Sequence, residues 1–159
     1  GEMKVQFIVV GKTIDKRLSA LIDEYVARVK HYVPFEMEVV PELKNTKSMT
    51  VAQQKAREGE LLRKVLREGD HVVLLDEGGR EFRSVDFAAW MEARLSLSVR
   101  RLVFIVGGPY GFSEEIQALS KEKVSLSRMT LSHQMVRLFF VEQCYRAMTI
   151  LRGEPYHHE

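Results

Sequence analysis

Short runs of apolar and β-branched residues alternate along the chain with segments in which apolar residues recur every three or four positions. The first pattern is typical of buried strands and the second of amphipathic helices. Strands that alternate with helices favour an α/β fold in which both faces of a parallel sheet are covered. The predicted strands are residues 4–10, 35–40, 71–75, 101–106 and 124–126.

Capping residues mark where the predicted helices begin. The side chains of Asp15 and Ser113 can accept hydrogen bonds from the free N–H groups of a first helical turn, and Ser84 starts another helix. Thr50, followed three positions later by Gln53, forms a capping-box pattern. The predicted helices are residues 16–31, 51–68 and 84–95, a short helix after Ser113, and a long helix over 133–152.

The long last helix has little polar surface. At about 100° per residue, Glu142, Arg146 and Thr149 fall in one narrow sector, and the remaining circumference is mostly apolar. A helix that is apolar nearly all round must be buried on more than one side. We therefore expect one side to pack on the chain's own sheet and the other on a second copy, with part of residues 136–151 in the interface.

The composition is that of an ordinary globular protein, with 45% hydrophobic and 29% charged residues in 159. We expect one domain over residues 3–159, because Gly1 and Glu2 resemble a cloning remnant. The single cysteine excludes an intramolecular disulfide and suits a reducing cytoplasm. We expect no membrane partner, because no apolar run approaches the roughly 20 residues of a span and no secretory signal is present.

Three loops follow apolar strands, and in open α/β sheets ligands bind beyond the carboxyl ends of the strands. These loops are residues 76–79, which contain two glycines, 107–111 and 127–132. The second reads G-G-x-x-G, which permits close backbone approach to a ligand or a turn that requires positive φ. It is not the dinucleotide fingerprint, and the chain has no P-loop motif, so nicotinamide enzymes and nucleotide hydrolases are disfavoured.

Other reactive side chains fit structural roles. The five histidines show no metal-binding spacing, and we expect His157, His158 and Glu159 to form a disordered polar terminus and no metal site. Cys144 lies on the apolar side of the last helix, as a small core residue does. Arg146 follows Glu142 by one turn, so it either forms a structural ion pair or faces a partner, cavity or ligand.

Four blocks carry a family resemblance in their order and spacing. They read GGPYGF from Gly107, SLSRMTLSHQMVR from Ser125, EQCYRA from Glu142 and RGEPYHH from Arg152. The chain resembles, over essentially its whole length from Met3, the RlmH (YbeA-type) family of SPOUT methyltransferases. This resemblance implies an obligate homodimer, a trefoil knot in the C-terminal part and S-adenosylmethionine as cofactor. The implied reaction is methylation of N3 of a pseudouridine in 23S rRNA on the assembled ribosome.

The resemblance also implies functional residues. The catalytic ones would be Arg146, which stabilises charge on the base carbonyls, Tyr156, which stacks on the base, and His157, which accepts the N3 proton. His158 stands where some relatives have arginine. The residues implied to bind the cofactor are Leu75, Gly107, Gly108, Leu126, Ser127, Arg128, Met129, Thr130 and Leu131.

The weak basicity of the chain does not by itself predict RNA binding: the formal net charge is +2 and the pI is about 8.7. The basic residues that remain as candidates for RNA contact are Arg128, Arg137 and Arg152 near the active end and Lys4, Lys12 and Arg17 at the other. Two alternatives stay open from the residues alone. One is a non-catalytic RNA- or ribosome-binding dimer; the other is a flavodoxin-like binder, for which the loop from Gly11 to Thr13 is short.

Overall fold

Five parallel strands and five helices make up the fold, in a computed structural model that describes residues 3–158. Gly1, Glu2 and Glu159, which entered the predictions for the two ends of the chain, lie outside the described residues. The strands are β1 (Lys4–Val10), β2 (Phe35–Val40), β3 (His71–Glu81), β4 (Arg101–Val106) and β5 (Glu122–Ser125). The helices are α1 (Lys16–Lys30), α2 (Val51–Val65), α3 (Ser84–Leu95), α4 (Glu114–Leu119) and α5 (Met135–Leu151).

The sheet has the order β2-β1-β4-β3-β5 and is covered on both faces. Alternate side chains of a strand point to opposite faces, so Phe7 and Val9 join the core beneath α1, α3 and α5. Ile8, between them, joins a second core beneath α2 and α4. Every residue of the central strand β4 is buried. The predicted parallel α/β fold is confirmed.

The predicted caps are present. Asp15 accepts hydrogen bonds from the N–H groups of Arg17 and Leu18, and Thr50 and Gln53 form both bonds of the capping box. The end of α2 falls three residues earlier than predicted, because Leu66 adopts an extended conformation and Gly69 follows with φ +86°. N-terminal caps can be predicted from the sequence because they need particular side chains at one position. The C-terminal end of a helix can instead be set by tertiary contacts.

Residues 76–79 differ from the prediction. They do not end β3 but form an irregular excursion inside it, since Leu75 and Arg80 are both paired with Val124. Neither Gly78 nor Gly79 has positive φ. A side chain at Gly79 would place its Cβ 2.6 Å from the Val124 backbone nitrogen, so glycine is required there for close approach to β5. The strand β5 is accordingly shifted to Glu122–Ser125.

One face of α5 packs on the sheet between α1 and α3. The ring of Phe140 lies 4.5 Å from that of Phe7 and 4.8 Å from that of Phe104, centroid to centroid. Cys144 is buried, as predicted for a core residue, and burial raises the pKa of its thiol. Thr149 is also buried, which the polar sector of the helix did not predict, and its hydroxyl donates to the Arg146 carbonyl. Part of the remaining apolar surface of α5 is half-buried, at Val136, Leu138, Tyr145, Ile150 and Leu151.

Candidate active site

The ends of β4 and β5 and the irregular part of β3 surround a cavity of about 340 Å³. All three loops singled out in the sequence contribute to it, and the first turn of α5 closes one side through Val136. Eight of the nine residues implied to bind the cofactor line this cavity: Leu75, Gly107, Gly108, Leu126, Ser127, Met129, Thr130 and Leu131.

The glycines of the 107–111 loop have different roles. Gly107 is buried against the ring of Phe112, and a Cβ there would lie 3.0 Å from two ring carbons. Gly111 has φ +83°, and its N–H donates to the Gly108 carbonyl to close a turn. Close approach and positive φ, which the sequence offered as alternatives, therefore both occur in one loop.

Glu58 of α2 holds the 107–111 loop through a hydrogen bond, and the sequence did not indicate this role. Its carboxylate accepts the Gly108 N–H at 2.8 Å, and burial raises the pKa of the carboxyl. Glu58 was missed because α2 is charged over most of its surface. The available signal was Gly59, since a glycine inside a helix is unfavourable unless another group comes close. A Cβ at Gly59 would lie 2.3 Å from the Ser113 hydroxyl oxygen.

Serine side chains organise the 127–132 loop that follows β5. The Ser125 hydroxyl donates to the Ser127 carbonyl, and the Ser127 hydroxyl accepts the Met129 N–H. Ser132 then accepts the Met135 N–H at the start of α5. These local bonds hold the loop over the cavity without help from regular secondary structure.

Arg128 is the one implied cofactor residue that does not line the cavity. Its side chain is 87% exposed and pairs with Glu81 at 3.2 Å. The loop directs the neighbouring Ser127 and Met129 to the cavity and Arg128 toward the β3 side. The side chain of Arg128 therefore does not enter the cavity.

The three implied catalytic residues form a cluster of their own. Arg146 donates to Glu142 Oε1 at 3.0 Å and to His157 Nδ1 at 3.0 Å, and its guanidinium carbon lies 4.8 Å from the centre of the Tyr156 ring. The hydroxyls of Tyr156 and Tyr25 share a hydrogen bond of 3.2 Å. Burial and this hydrogen bond raise the pKa of Tyr156.

The end of the chain is folded back on α1 and α5 as far as His157, so the disordered terminus predicted from that residue onward is wrong for His157. Gly153 adopts φ +66°, and the Glu154 N–H returns to the Thr149 carbonyl. The Tyr32 hydroxyl donates to Glu154 at 2.7 Å, which raises the pKa of Tyr32 to about 12. Tyr156 and His157 are half-buried as a result.

One chain does not bring the catalytic cluster to the cavity. Val136 lines the cavity, whereas Arg146 lies ten residues further along the same helix, a distance of about 15 Å at 1.5 Å per residue. Arg146, Tyr156 and His157 are all absent from the described lining of the cavity. The two groups of residues are thus each well ordered but separate.

Arg137 corrects one prediction for RNA contact. It is 1% exposed and donates to the carbonyls of Val10 and His133 and to the Thr13 hydroxyl. Its guanidinium therefore fastens α5 to the end of β1 and does not reach solvent. Two other predicted contacts, Lys4 and Arg17, are engaged in ion pairs with Glu36 and Asp15.

No helix in residues 3–158 is long and apolar enough to cross a membrane. The same residues contain no group of three or more histidine, cysteine, aspartate or glutamate side chains that could hold a metal ion.

The family described as "Predicted SPOUT methyltransferase" has a model that matches residues 3–157 of this chain. The chain belongs to this family, as the sequence resemblance predicted. A Bacteroides fragilis protein named "Ribosomal RNA large subunit methyltransferase H" is 60% identical over 157 residues, which are 99% of this chain and 100% of that protein. A protein of the same name from Christiangramia forsetii is 51% identical over 98% of this chain and 99% of its own length.

A solved structure shares the fold at low sequence identity. It is the crystal structure of a probable methyltransferase from Bordetella pertussis Tohama I, with a TM-score of 0.53 and 14% identity. The match covers 92% of this chain and 95% of that one. The likeness concerns the fold alone.

Proposed function

We propose that this chain is an S-adenosylmethionine-dependent methyltransferase that methylates N3 of a pseudouridine in 23S rRNA on the assembled ribosome. The observation that carries the proposal is the cavity at the strand ends, which collects eight of the nine residues implied by the resemblance. Family membership and the names of full-length relatives at 51–60% identity support an rRNA methyltransferase over a non-catalytic RNA-binding dimer. Activity on assembled ribosomes would place the protein in the cytoplasm.

The chemistry of the cavity lining fits the proposed cofactor. Leu75, Leu126 and Leu131 offer apolar contacts for an adenine ring, and the backbone of Gly107 lies open to close approach. Asp76 and Glu77 also line the cavity and offer acceptors for hydroxyl and ammonium groups. When bound there, S-adenosylmethionine supplies an electrophilic methyl group.

The catalytic cluster suits removal of one weakly acidic imide proton. A guanidinium N–H is always a donor, so Arg146 must donate to His157 Nδ1, and the imidazole that accepts it is not protonated at that nitrogen. The lone pair of His157 that can accept a proton is therefore on Nδ1, where it is already hydrogen-bonded to Arg146. We infer that Arg146 turns from His157 to the carbonyls of the base, which frees Nδ1 to accept the N3 proton. Tyr156 offers its ring face for stacking.

We further propose that each active site combines two chains of a homodimer. The separation of about 15 Å along α5 supports this arrangement, because a partner's Arg146 cluster can complete a cavity that its own chain leaves empty of catalytic residues. The half-buried apolar residues of α5 supply a surface for such a partner. A two-fold axis would produce two equivalent sites.

The deep trefoil knot remains part of the proposal. The chain leaves β5 at one edge of the sheet and begins α5 beside the end of β1, where the Gln134 side-chain amide donates to the Lys12 carbonyl. The connecting residues 126–134 thus cross the ends of β3 and β4, as a threaded segment must. Knots are rare among protein folds, so this feature rests on family membership and on that path.

The test is transfer of labelled methyl groups to ribosomes that lack the modification. We expect label in 23S rRNA at N3 of a pseudouridine, and mapping by nuclease digestion and mass spectrometry identifies the atom. Label on another base or atom, or no label with folded protein and active ribosomes, would contradict the proposal.

A further inference from the structure

A second, larger cavity lies on the other side of the 107–111 loop. Its volume is about 990 Å³, and it shares Gly108, Pro109, Gly111 and His133 with the smaller cavity. We call it the lysine groove, after Lys12, Lys44 and Lys55 in its wall. A ligand that fills the lysine groove would lie against one side of the loop while the proposed cofactor occupies the other.

The lysine groove carries uncompensated positive charge. Among the ion pairs of residues 3–158, none includes Lys12, Lys44 or Lys55. Two acidic side chains, Glu42 and Glu58, also line the groove, but three lysines and Arg137 outnumber them and leave the groove with a net positive charge. Glu42 stands near the buried Arg137 and partly offsets its charge, and Glu58 accepts the Gly108 N–H. The three lysines are therefore available to an anionic ligand.

The rim of the lysine groove offers apolar and aromatic surface beside this charge. Ile14 is 82% exposed and Tyr110 is 48% exposed, and both line the groove. Aromatic side chains next to lysines form the usual binding surface for single-stranded nucleic acid, because bases stack on rings while lysines neutralise phosphates. A second basic surface, on the β3 side, is lined by Arg80, Arg83, Arg94 and Arg128. In that surface Arg94 and Arg128 are already paired with Glu122 and Glu81.

We propose that the lysine groove binds the single-stranded RNA that flanks the methylated base, with Lys12, Lys44 and Lys55 on its phosphates and Tyr110 against a base. This inference rests on the proposed function, because it names where that substrate lies. The shared 107–111 loop then places the flanking nucleotides next to the methyl donor. The wall of the groove also explains how a chain of low net charge holds RNA: the charge is local.

The test compares two variants with the same change in net charge. One carries Lys12→Gln, Lys44→Gln and Lys55→Gln. The control carries Lys30→Gln, Lys64→Gln and Lys121→Gln, which are exposed and lie near the amino ends of the strands, away from the groove at the carboxyl ends. Binding of labelled protein to ribosomes lacking the modification is measured between about 50 and 200 mM salt. Calorimetry with S-adenosylmethionine verifies that both variants retain the cofactor site.

Each lost lysine–phosphate contact on a single strand lowers the slope of log affinity against log salt by about 0.7, so we expect a loss of about 2 in the groove variant. The control should keep the wild-type slope. Equal slopes in the groove variant and the wild type, or an equal loss in the control, would overturn the inference. Failure of the proposed function is distinguishable, since wild type would then transfer no methyl group even though ribosome binding still depended on the three lysines.

Discussion

At the residue scale, Gly107 is a position where an added side chain should disturb the wall of the cavity. We expect Gly107→Val to press on the Phe112 ring, 3.0 Å from the new Cβ, and to push it toward the cofactor. Overpacking of this kind costs about 1–3 kcal/mol, less than the stability of an ordinary domain. Affinity for S-adenosylmethionine should fall at least about tenfold, a change of 1.4 kcal/mol that calorimetry resolves. Unchanged affinity in a folded variant would show that the cofactor binds elsewhere.

Glu58 gives a prediction for how the stability of the fold depends on pH. Its folded pKa lies above the ordinary 4.5, so the folded state binds this proton more tightly than the unfolded state does. The contribution of Glu58 to stability is then greatest below pH 4.5 and is lost as pH rises through the folded pKa. Glu58→Gln keeps an acceptor for the Gly108 N–H but removes the titration.

We expect the difference in melting temperature, Glu58→Gln minus wild type, to grow from pH 4 to pH 7. Thermal unfolding by circular dichroism at several pH values measures it. A difference that shrinks over this range would mean that the carboxylate is stabilised by its surroundings more than burial penalises it.

Single residues were predictable where a chemical requirement acts at one position. Asp15 and Thr50 were identified as caps because few side chains can perform that task. Arg137 was misplaced because sequence gives its charge but not the carbonyl of Val10, 127 positions away, that receives its hydrogen bond. Val39 alternates with Glu36 and Glu38 in the edge strand β2 and is nevertheless 43% exposed.

At the scale of elements, the folded-back tail joins α5 to the proposed chemistry. Deletion of the chain from Tyr156 removes the ring contact with Tyr145, the hydrogen bond with Tyr25 and the contacts with Arg146. Each is worth about 0.5–1.5 kcal/mol, so the fold should lose stability but survive. Single-turnover methylation should fall about 10²–10⁴-fold, as for loss of a general base. Cofactor affinity should be unchanged. The deletion also removes Glu159, which lies outside the described residues, so His157→Gln is the matched single substitution; near wild-type rates in both would exclude the tail from catalysis.

Arg146→Ala should reduce methyl transfer similarly and should also lower thermal stability, because Glu142 loses the partner that offsets its partial burial. The control is Arg63→Ala, which removes a more exposed ion pair with Glu115 on the other face of the sheet. We expect that control to change neither rate nor melting temperature appreciably. Equal effects of the two substitutions would argue against a special role for Arg146.

The periodicity of apolar residues predicted the regular strands and helices well, but it did not predict their irregular parts. The strands β1, β2 and β4 have the predicted bounds, because their apolar residues define them. The helix α3 also has the predicted bounds, because Ser84 marks its start. The excursion in β3 depends on how Gly79 approaches Val124, a contact 45 positions apart that no local pattern encodes. The path from β5 to α5, and with it the proposed knot, likewise depends on tertiary contacts.

At the scale of the whole molecule, we expect a two-fold dimer. The half-buried apolar surface of α5 should be covered by a second copy, as its nearly continuous apolar circumference suggests. Sedimentation equilibrium at micromolar concentration should give twice the chain mass of 18.4 kDa. A monomer under these conditions would contradict the proposed composite site, because each chain alone keeps Arg146 far from its cavity.

The central claim is that the cavity of one chain works with the Arg146 cluster of the other, and complementation between two inactive variants tests it most directly. Gly107→Val impairs the cavity and Arg146→Ala impairs the cluster. At an S-adenosylmethionine concentration well below the dissociation constant of the Gly107→Val variant, each homodimer should therefore be nearly inactive. Differently tagged copies are co-expressed, and the heterodimer is isolated through both tags. A site shared between chains leaves one intact site of two, so the heterodimer should show about half of wild-type methyl transfer. A heterodimer as inactive as its parents would contradict the claim, because every site would then draw all its residues from a single chain.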